Sequence, residues 1–269
     1  MAHTADSLTR FRCLLRLLLR QSLGRIGLEL RRVRPVPVGA DLHLDLRRRL
    51  TGVPRPVIFD IGANVGDFLM SVRNDFPQAE IHAFEPSPEV YQTLQRTTER
   101  RSNVILNNIA MGSRRGERVL QEHSRSVMSS FLSPGPAMRT GPAYWDRGVE
   151  RETPVPVETV DAYCADRGVS SIDLLKIDTE GYDLEVLRGA ERMLSDGRVG
   201  LVLVEIIFRP YYIDMAEPEA LYRRLRDHGF CLVSIYEWLY SDDGFANAAD
   251  ALFQRAPDEN SCPQSAEHG

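Results

Sequence analysis

The chain has 269 residues, 43% of them hydrophobic and 26% charged, which supports an ordinary globular body with a real core and leaves no room for two large domains. A net charge of -5, from 33 basic and 38 acidic residues, gives no whole-chain case for nucleic-acid binding. Four scattered cysteines (Cys13, Cys164, Cys231, Cys262) without CxxC spacing argue against a disulfide framework and for a reduced, cytoplasmic chain.

The charge is uneven. Residues 1–55 carry twelve Arg against four acids, or +8, which leaves -13 for the remainder. Residues 7–33 predict an amphipathic helix: Ser7 is a plausible N-cap, and Leu8, Phe11, Leu15, Leu18 and Leu19 recur at helical spacing between Arg10, Arg12, Arg16 and Arg20. Such a helix docks on the body or a partner, or lies on an anionic membrane surface as a peripheral contact. No apolar run reaches the ~18 residues of a membrane span, and Arg16 and Arg20 interrupt the Leu-rich run of a would-be signal peptide. Residues 34–40 read as a linker. The expected division is a basic helical extension and linker over 1–55, a body over 56–255 and a flexible tail over 256–269.

From Pro56 the pattern becomes strand–helix alternation. Val57–Ile61 is a buried-type strand and a helix follows from about Gly66. Glu80–Phe84 is the second strand, with a helix opened by Ser87-Pro88-Glu89, where Pro88 suits the first turn. Asn103–Ala110 is the third. Residues 113–131 suggest a hairpin, and 133–156, with five Pro and three Gly, a loop. Then come a strand at Asp173–Asp178, a helix face at Leu184, Leu187, Ala190 and Leu194, a strand at Leu201–Phe208, a helix at Glu217–His228, a strand at Phe230–Tyr236 and a last one near Ala251–Arg255. This order predicts an α/β, doubly wound, mostly parallel sheet of Rossmann-like type behind a helical extension. Its ligands belong beyond the carboxyl ends of the strands.

Those ends hold the informative residues. The first reads Asp60-Ile61-Gly62-Ala63-Asn64-Val65-Gly66: neither GxGxxG nor a phosphate loop, and the acid before the turn suits an amino group or positive charge better than a pyrophosphate. Glu85 closes the second strand, where an acid accepts bonds from both ribose hydroxyls. Asn108 and Ala110 follow the third, beside an expected adenine position. On the fourth, Lys176 and Asp178 share a face. Lys176 is the sole Lys in a chain that otherwise uses Arg, as suits a compact ammonium where a planar fork does not fit. It reads either as a buried ion pair or as a catalytic group. Asp178 can anchor a substrate hydroxyl, take its proton or hold a divalent metal. Glu180 either offers a base or stabilises a helix start.

The set DIGANVG (60–66), FEPSPEVY (84–91), NNIAMG (107–112), SSF (129–131) and LLKIDTEGYDLEVLRG (174–189) strongly resembles the FkbM-type family of S-adenosylmethionine-dependent methyltransferases, over about residues 56–255. The resemblance implies a class I methyltransferase fold and O-methylation of a hydroxyl on a sugar, glycolipid or other secondary metabolite. It maps Asp60, Gly62, Ala63, Asn64, Gly66, Glu85, Asn108 and Ala110 to the cofactor site, and Asp178 and Glu180, with Lys176 beside them, to the catalytic end. The base is expected among Asp178, Glu180 and, less directly, His123, which otherwise reads as a surface residue. The acceptor pocket is expected from Tyr144 and Trp145 and from Phe208, Tyr211 and Tyr212. A non-catalytic module with the same fold, or a nicotinamide-dependent oxidoreductase, are the rival readings. The intact acids speak against the first, and the missing GxGxxG against the second.

Overall fold

The computed structural model describes residues 36–99, 103–123, 128–140 and 149–256. The helix expected over 7–33, the tail from 257 onward, Tyr144 and Trp145 lie outside the described residues. The compact unit that holds the sheet starts at Asp41, ahead of the boundary at residue 56 that composition suggests, because residues 42–49 form a helix, α1 (Leu42–Arg49). Asp41 caps it, accepting from the Leu44 N–H at 2.7 Å. Arg47, Arg48 and Arg49 occupy its last turn, where the helix dipole favours cations. Leu42, Leu46 and Leu50, spaced by four, make its buried stripe. Arg47 and Arg48, which in the sequence look like part of a leader, are exposed residues of this helix.

The chain then alternates through β1 (Val57–Ile61), α2 (Asp67–Asp75), β2 (Glu80–Phe84), α3 (Pro88–Thr97) and β3 (Val104–Asn107). Next come β4 (Ala110–Met111), β5 (Gly116–His123), a short α4 (Pro136–Thr140), β6 (Val149–Glu158) and α5 (Val160–Arg167). The last part is β7 (Ile172–Ile177), α6 (Asp183–Arg188), α7 (Glu191–Ser195), β8 (Val199–Ile207), α8 (Pro218–Asp227), β9 (Phe230–Tyr240) and β10 (Ala246–Arg255).

Seven strands form one sheet in the order β3-β2-β1-β7-β8-β10-β9. All neighbours are parallel up to β8; β10 runs antiparallel to both β8 and β9. The strand order reverses between β1 and β7, the switch point at which doubly wound sheets open a crevice. Alternation along the strands divides the core. Ile58, Leu174 and Leu203 pack with α1, α2 and α3 on one face, through Leu46, Leu69 and Leu94. Phe59, Ile61, Leu175 and Ile177 pack with α5 to α8 on the other, through Val160, Val186, Leu194 and Leu225. Each fully buried Leu or Ile here is worth about 1.5–3 kcal/mol over leaving it exposed.

A second sheet, β4-β6-β5, departs from expectation. The expected hairpin over 113–131 is present as one antiparallel bridge, Gln121 opposite Ser130 with backbone hydrogen bonds of 2.9 and 3.1 Å; the longer partner of β5 is β6, paired antiparallel from Gly116 opposite Val157 to His123 opposite Val149. The prolines that make 133–156 look like a loop are tolerated in β6 for a definite reason. Pro154 and Pro156 are two apart, so their missing N–H groups fall on the same side of the strand. On that side β4 pairs only with Val157 and Glu158, so no ladder bond is lost. The buried Glu122 of β5 joins this small sheet to the turn before α3: it accepts from the hydroxyls of Ser87 and of Thr153 on β6.

Candidate active site

The carboxyl ends of β1, β2 and β7 surround a cleft of about 690 Å³. The chain leaves β1 through Gly62, whose φ is +77°, and a Cβ there would stand 1.8 Å from the Asp178 carbonyl oxygen. β1 and β7 approach so closely at this point that only glycine fits. Asn64, also left-handed at φ +46°, turns its N–H onto Glu85 Oε2 at 2.9 Å, and the Ser87 N–H meets Oε1 at 2.9 Å. Burial pushes the Glu85 carboxyl up to about 7, against the lowering effect of the Ser87 and Asn64 N–H groups. Gly62, Asn64, Glu85 and Ala110 line the cleft, with Ile109, Met111, Leu120 and Phe131 as its apolar wall and Asp178, Thr179 and Glu180 at its other end.

Other expected cofactor residues act one step back. Asn108 spends its amide on the carbonyls of Glu85 and Pro86, at 2.8 and 3.0 Å, and fixes the β2 turn rather than lining the cleft. Gly66 lets α2 start against α3: a Cβ there would meet Leu94 Cδ1 at 2.9 Å. Ala63 donates its N–H to the Phe84 carbonyl at 3.0 Å.

Asp60 and Lys176 share the α1–α2 face. The buried Lys176 Nζ lies 3.2 Å from Asp60 Oδ1 and 3.2 Å from Asp178 Oδ2, and it donates to the Gly62 carbonyl at 2.9 Å. The Gly62 carbonyl takes a hydrogen bond from the ammonium, whereas Asp60 meets it as a charge, since neither Asp60 oxygen has a hydrogen-bond partner. Burial alone would lower the Lys176 pKa, but Asp178 and Asp60 outweigh it and hold the ammonium charged, above its ordinary value. Asp60 has no exposed surface, and its desolvation raises its pKa despite Lys176.

Glu180 follows at φ +52°, with its carbonyl accepting from the Ser130 hydroxyl at 2.7 Å and its carboxylate from the Tyr212 hydroxyl at 2.7 Å. Burial and the neighbouring Asp178 both raise its pKa. Phe131 packs edge-on against Tyr182 at 5.0 Å, with the Arg118 guanidinium 5.5 Å from the first ring and 5.2 Å from the second. The segment around Ser130 is thereby clipped over the cleft. Of the aromatic residues expected at an acceptor pocket, Tyr212 is buried against Glu180, Tyr211 is buried, and Phe208 is exposed and stacked on Trp238 at 5.6 Å. His123 is buried, not on the surface as expected.

Sequence reasoning passes over Glu205 in β8. One of its carboxylate oxygens lies within 4.8 Å of oxygens of both Asp178 and Glu180. The available signal was a lone acid in the apolar run Val199–Ile207. A second, open cleft of about 1010 Å³ lies on the other side of the Gly62–Asn64 turn. His43, Asp67, Ser71, Lys176, Glu237 and Asp250 line it, and it shares Gly62, Asn64 and Asp178 with the first.

These carboxyls make stability fall with rising pH. Burial raises Glu85 to about 7, Asp183 to about 6 and Asp250 to about 7. Between their ordinary values near 4 and these raised ones the folded state holds more protons than the unfolded. Each group then removes up to about 1.4 kcal/mol per pH unit as pH rises through its window. His82, lowered by burial, opposes them below its ordinary value of 6.5, but it is one group against three. The ligand-free protein is expected to melt at a higher temperature at pH 5.5 than at pH 7.5; a rise over that interval in calorimetry would contradict the assignment.

Comparison with known proteins agrees with this geometry. The family description "Methyltransferase FkbM domain" matches residues 60–232, well over half of the chain. The 31-O-demethyl-FK506 methyltransferase FkbM of Streptomyces tacrolimicus is 30% identical over 70% of this chain and 77% of its own. The 2-O-methyltransferase NoeI of Sinorhizobium fredii is 26% identical over 54% of this chain and 61% of its own. The hexuronic acid methyltransferase AglP of Haloferax volcanii is 25% identical over 56% and 55%. With the β3-β2-β1-β7-β8-β10-β9 sheet and the acids at its strand ends, these matches establish that the chain belongs to the FkbM-type family of S-adenosylmethionine-dependent methyltransferases.

Proposed function

We propose that the chain methylates a hydroxyl of a sugar or sugar-like secondary metabolite. The observation that carries this reading is the sharing of one cleft by Glu85, clamped between two backbone N–H groups, and by Asp178 and Glu180 at the opposite end. The residues fit S-adenosylmethionine. Glu85 retains lone pairs for a ribose diol, and the wall of Ile109, Ala110 and Met111 suits an adenine face. When bound, that cofactor supplies an electrophilic methyl group.

The chain's own work is placement and proton handling. Asp178 and Glu180 hold the acceptor oxygen in line, and orientation of this kind can lower a barrier by roughly 7–11 kcal/mol. Glu180 takes the hydroxyl proton. A carboxylate with a raised pKa is a better base than an ordinary one and contributes roughly 10²–10⁴-fold. Tyr212 suits Glu180 to this, because its hydroxyl also lies 3.2 Å from the Met128 carbonyl. It donates to Glu180 when that group is ionised and turns to Met128 when Glu180 carries the proton. Lys176 acts as a positioning residue through Asp178 and the Gly62 carbonyl. The acceptor enters by the second cleft, whose hydroxyl, imidazole and carboxylate groups suit a polyhydroxylated molecule. The names of three relatives, which specify an FK506 31-O position, a 2-O position and a hexuronic acid, support that acceptor class.

Among the described residues no helix is long and apolar enough to cross a membrane. A cytoplasmic site of action with peripheral membrane contact through residues 7–33 belongs to the same proposal. The test of the cofactor site is calorimetric titration of the full chain with S-adenosylhomocysteine and with NAD. Tight binding of the first alone is expected. Glu85→Ala should weaken it by roughly 10²- to 10⁴-fold, since two hydrogen bonds to a charged acceptor are each worth roughly 1.5–3 kcal/mol. Undiminished binding in the variant would remove Glu85 from the site.

A further inference from the structure

Glu205 takes no part in the mechanism above, yet it faces its centre. Asp178 and Glu180, from the turn after β7, and Glu205, from β8, bring one carboxylate oxygen each to within 4.8 Å of the others. Positive charge does not match them. Lys176 is divided between Asp60 and Asp178, and among the described residues neither Glu180 nor Glu205 has an ion-pair partner. Glu180 receives a hydrogen bond from Tyr212. Glu205 Oε2 is shut off from solvent and has no hydrogen-bond partner. An enclosed acceptor with nothing to accept from is costly, and it marks a place for a ligand. Nitrogen and sulfur donors are missing from the trio, which selects a hard cation. Oxygens bound to a magnesium-class ion at roughly 2.0–2.1 Å stand at most about 4.2 Å apart, so the three carboxylates would draw together on binding it.

We propose that Asp178, Glu180 and Glu205 bind one divalent cation of the magnesium or manganese class at the wall of the transfer cleft, where it holds the acceptor oxygen. The site rests on the reading of this cleft as the place of methyl transfer, but binding of the ion is measurable without any acceptor. The experiment titrates MnCl2 into chelator-treated full-length protein by calorimetry, for wild type, Glu205→Gln and Asp178→Asn, with S-adenosylhomocysteine titrated into the same samples. Wild type is expected to take up one Mn²⁺ per chain. Both variants should bind it at least roughly 10-fold more weakly, since even outer-shell partners of a metal are worth 10–100-fold in affinity. Glu205→Gln is isosteric and should keep its affinity for S-adenosylhomocysteine, which separates a lost ion site from a lost fold. No saturable Mn²⁺ uptake by wild type that still binds S-adenosylhomocysteine would overturn the proposal and leave the trio as proton-sharing carboxyls. Equal Mn²⁺ affinity in all three proteins would overturn it too. The cofactor titration stands or falls on its own.

Discussion

Gly62→Ala should leave little folded protein. The left-handed backbone at this position costs an L side chain roughly 1–2 kcal/mol, and that is the smaller part. The added Cβ would stand 1.8 Å from the Asp178 carbonyl oxygen, and the obstacle is backbone, so β1 and β7 must part where the Asp178 N–H donates to the Ile61 carbonyl at 3.0 Å. The expected loss exceeds about 4 kcal/mol, the range reached only by such named mechanisms, out of a total of about 5–15 kcal/mol. Melting should fall by roughly 10 °C or more. The control is Gly168→Ala, at φ +69° with nothing within 4 Å of the added atom, where the loss should be about 1 kcal/mol. Thermal melts of the two variants decide the matter, and equal losses would show that the close approach of β1 and β7 does not matter.

Lys176→Met should destabilise the protein by about 3–5 kcal/mol, the usual result of leaving a buried charge without its partner. The stranded group is Asp60, which has no exposed surface and neither of whose carboxylate oxygens has a hydrogen-bond partner. Removing the ammonium raises the Asp60 pKa further, since Lys176 is what opposes its desolvation. The variant therefore regains stability as pH falls and Asp60 takes up a proton, so its deficit against wild type should be smaller at pH 5.5 than at pH 8. Asp60→Asn combined with Lys176→Met should recover much of the loss. Affinity for S-adenosylhomocysteine should also drop, because the Gly62 carbonyl loses its donor. A variant that melts like wild type at both pH values would point instead to a role for Lys176 in the chemistry alone.

Strands β1, β2, β7 and β8 are legible because parallel strands buried on both faces read as apolar runs ending at acids or turns. Their ends carry Gly62, Glu85 and Asp178, and so most of the cleft can be read as well. Three features escape for separate reasons. α1 hides in an Arg-rich segment because eight residues show its Leu stripe only twice over, at Leu42 and Leu46. β6 hides behind Pro154 and Pro156, since a one-dimensional pattern does not reveal which side of a strand will be left open. Glu205 looks like an isolated polar residue in a strand, and only the adjacency of β8 to β7 brings it to Asp178 and Glu180. The same limit applies to Asn108 and Gly66. Their residue types mark a constrained place correctly, but what they touch is settled by the β2 turn and by α3.

The antiparallel strand β10 lies between β8 and β9 although it follows both in the chain. During synthesis, which runs from the N-terminus, β8 and β9 leave the ribosome as two edges with no direct pairing to each other. They join only when residues 246–255 arrive and insert between them. The half of the sheet that carries Glu205 therefore closes last, through contacts of long sequence separation that are slow to form. Until then β8 offers an unpaired apolar edge of the kind that attracts other chains. The nascent chain is most exposed to aggregation in the interval between the emergence of β8 and that of β10, and a holdase that covers apolar edges would act on it there.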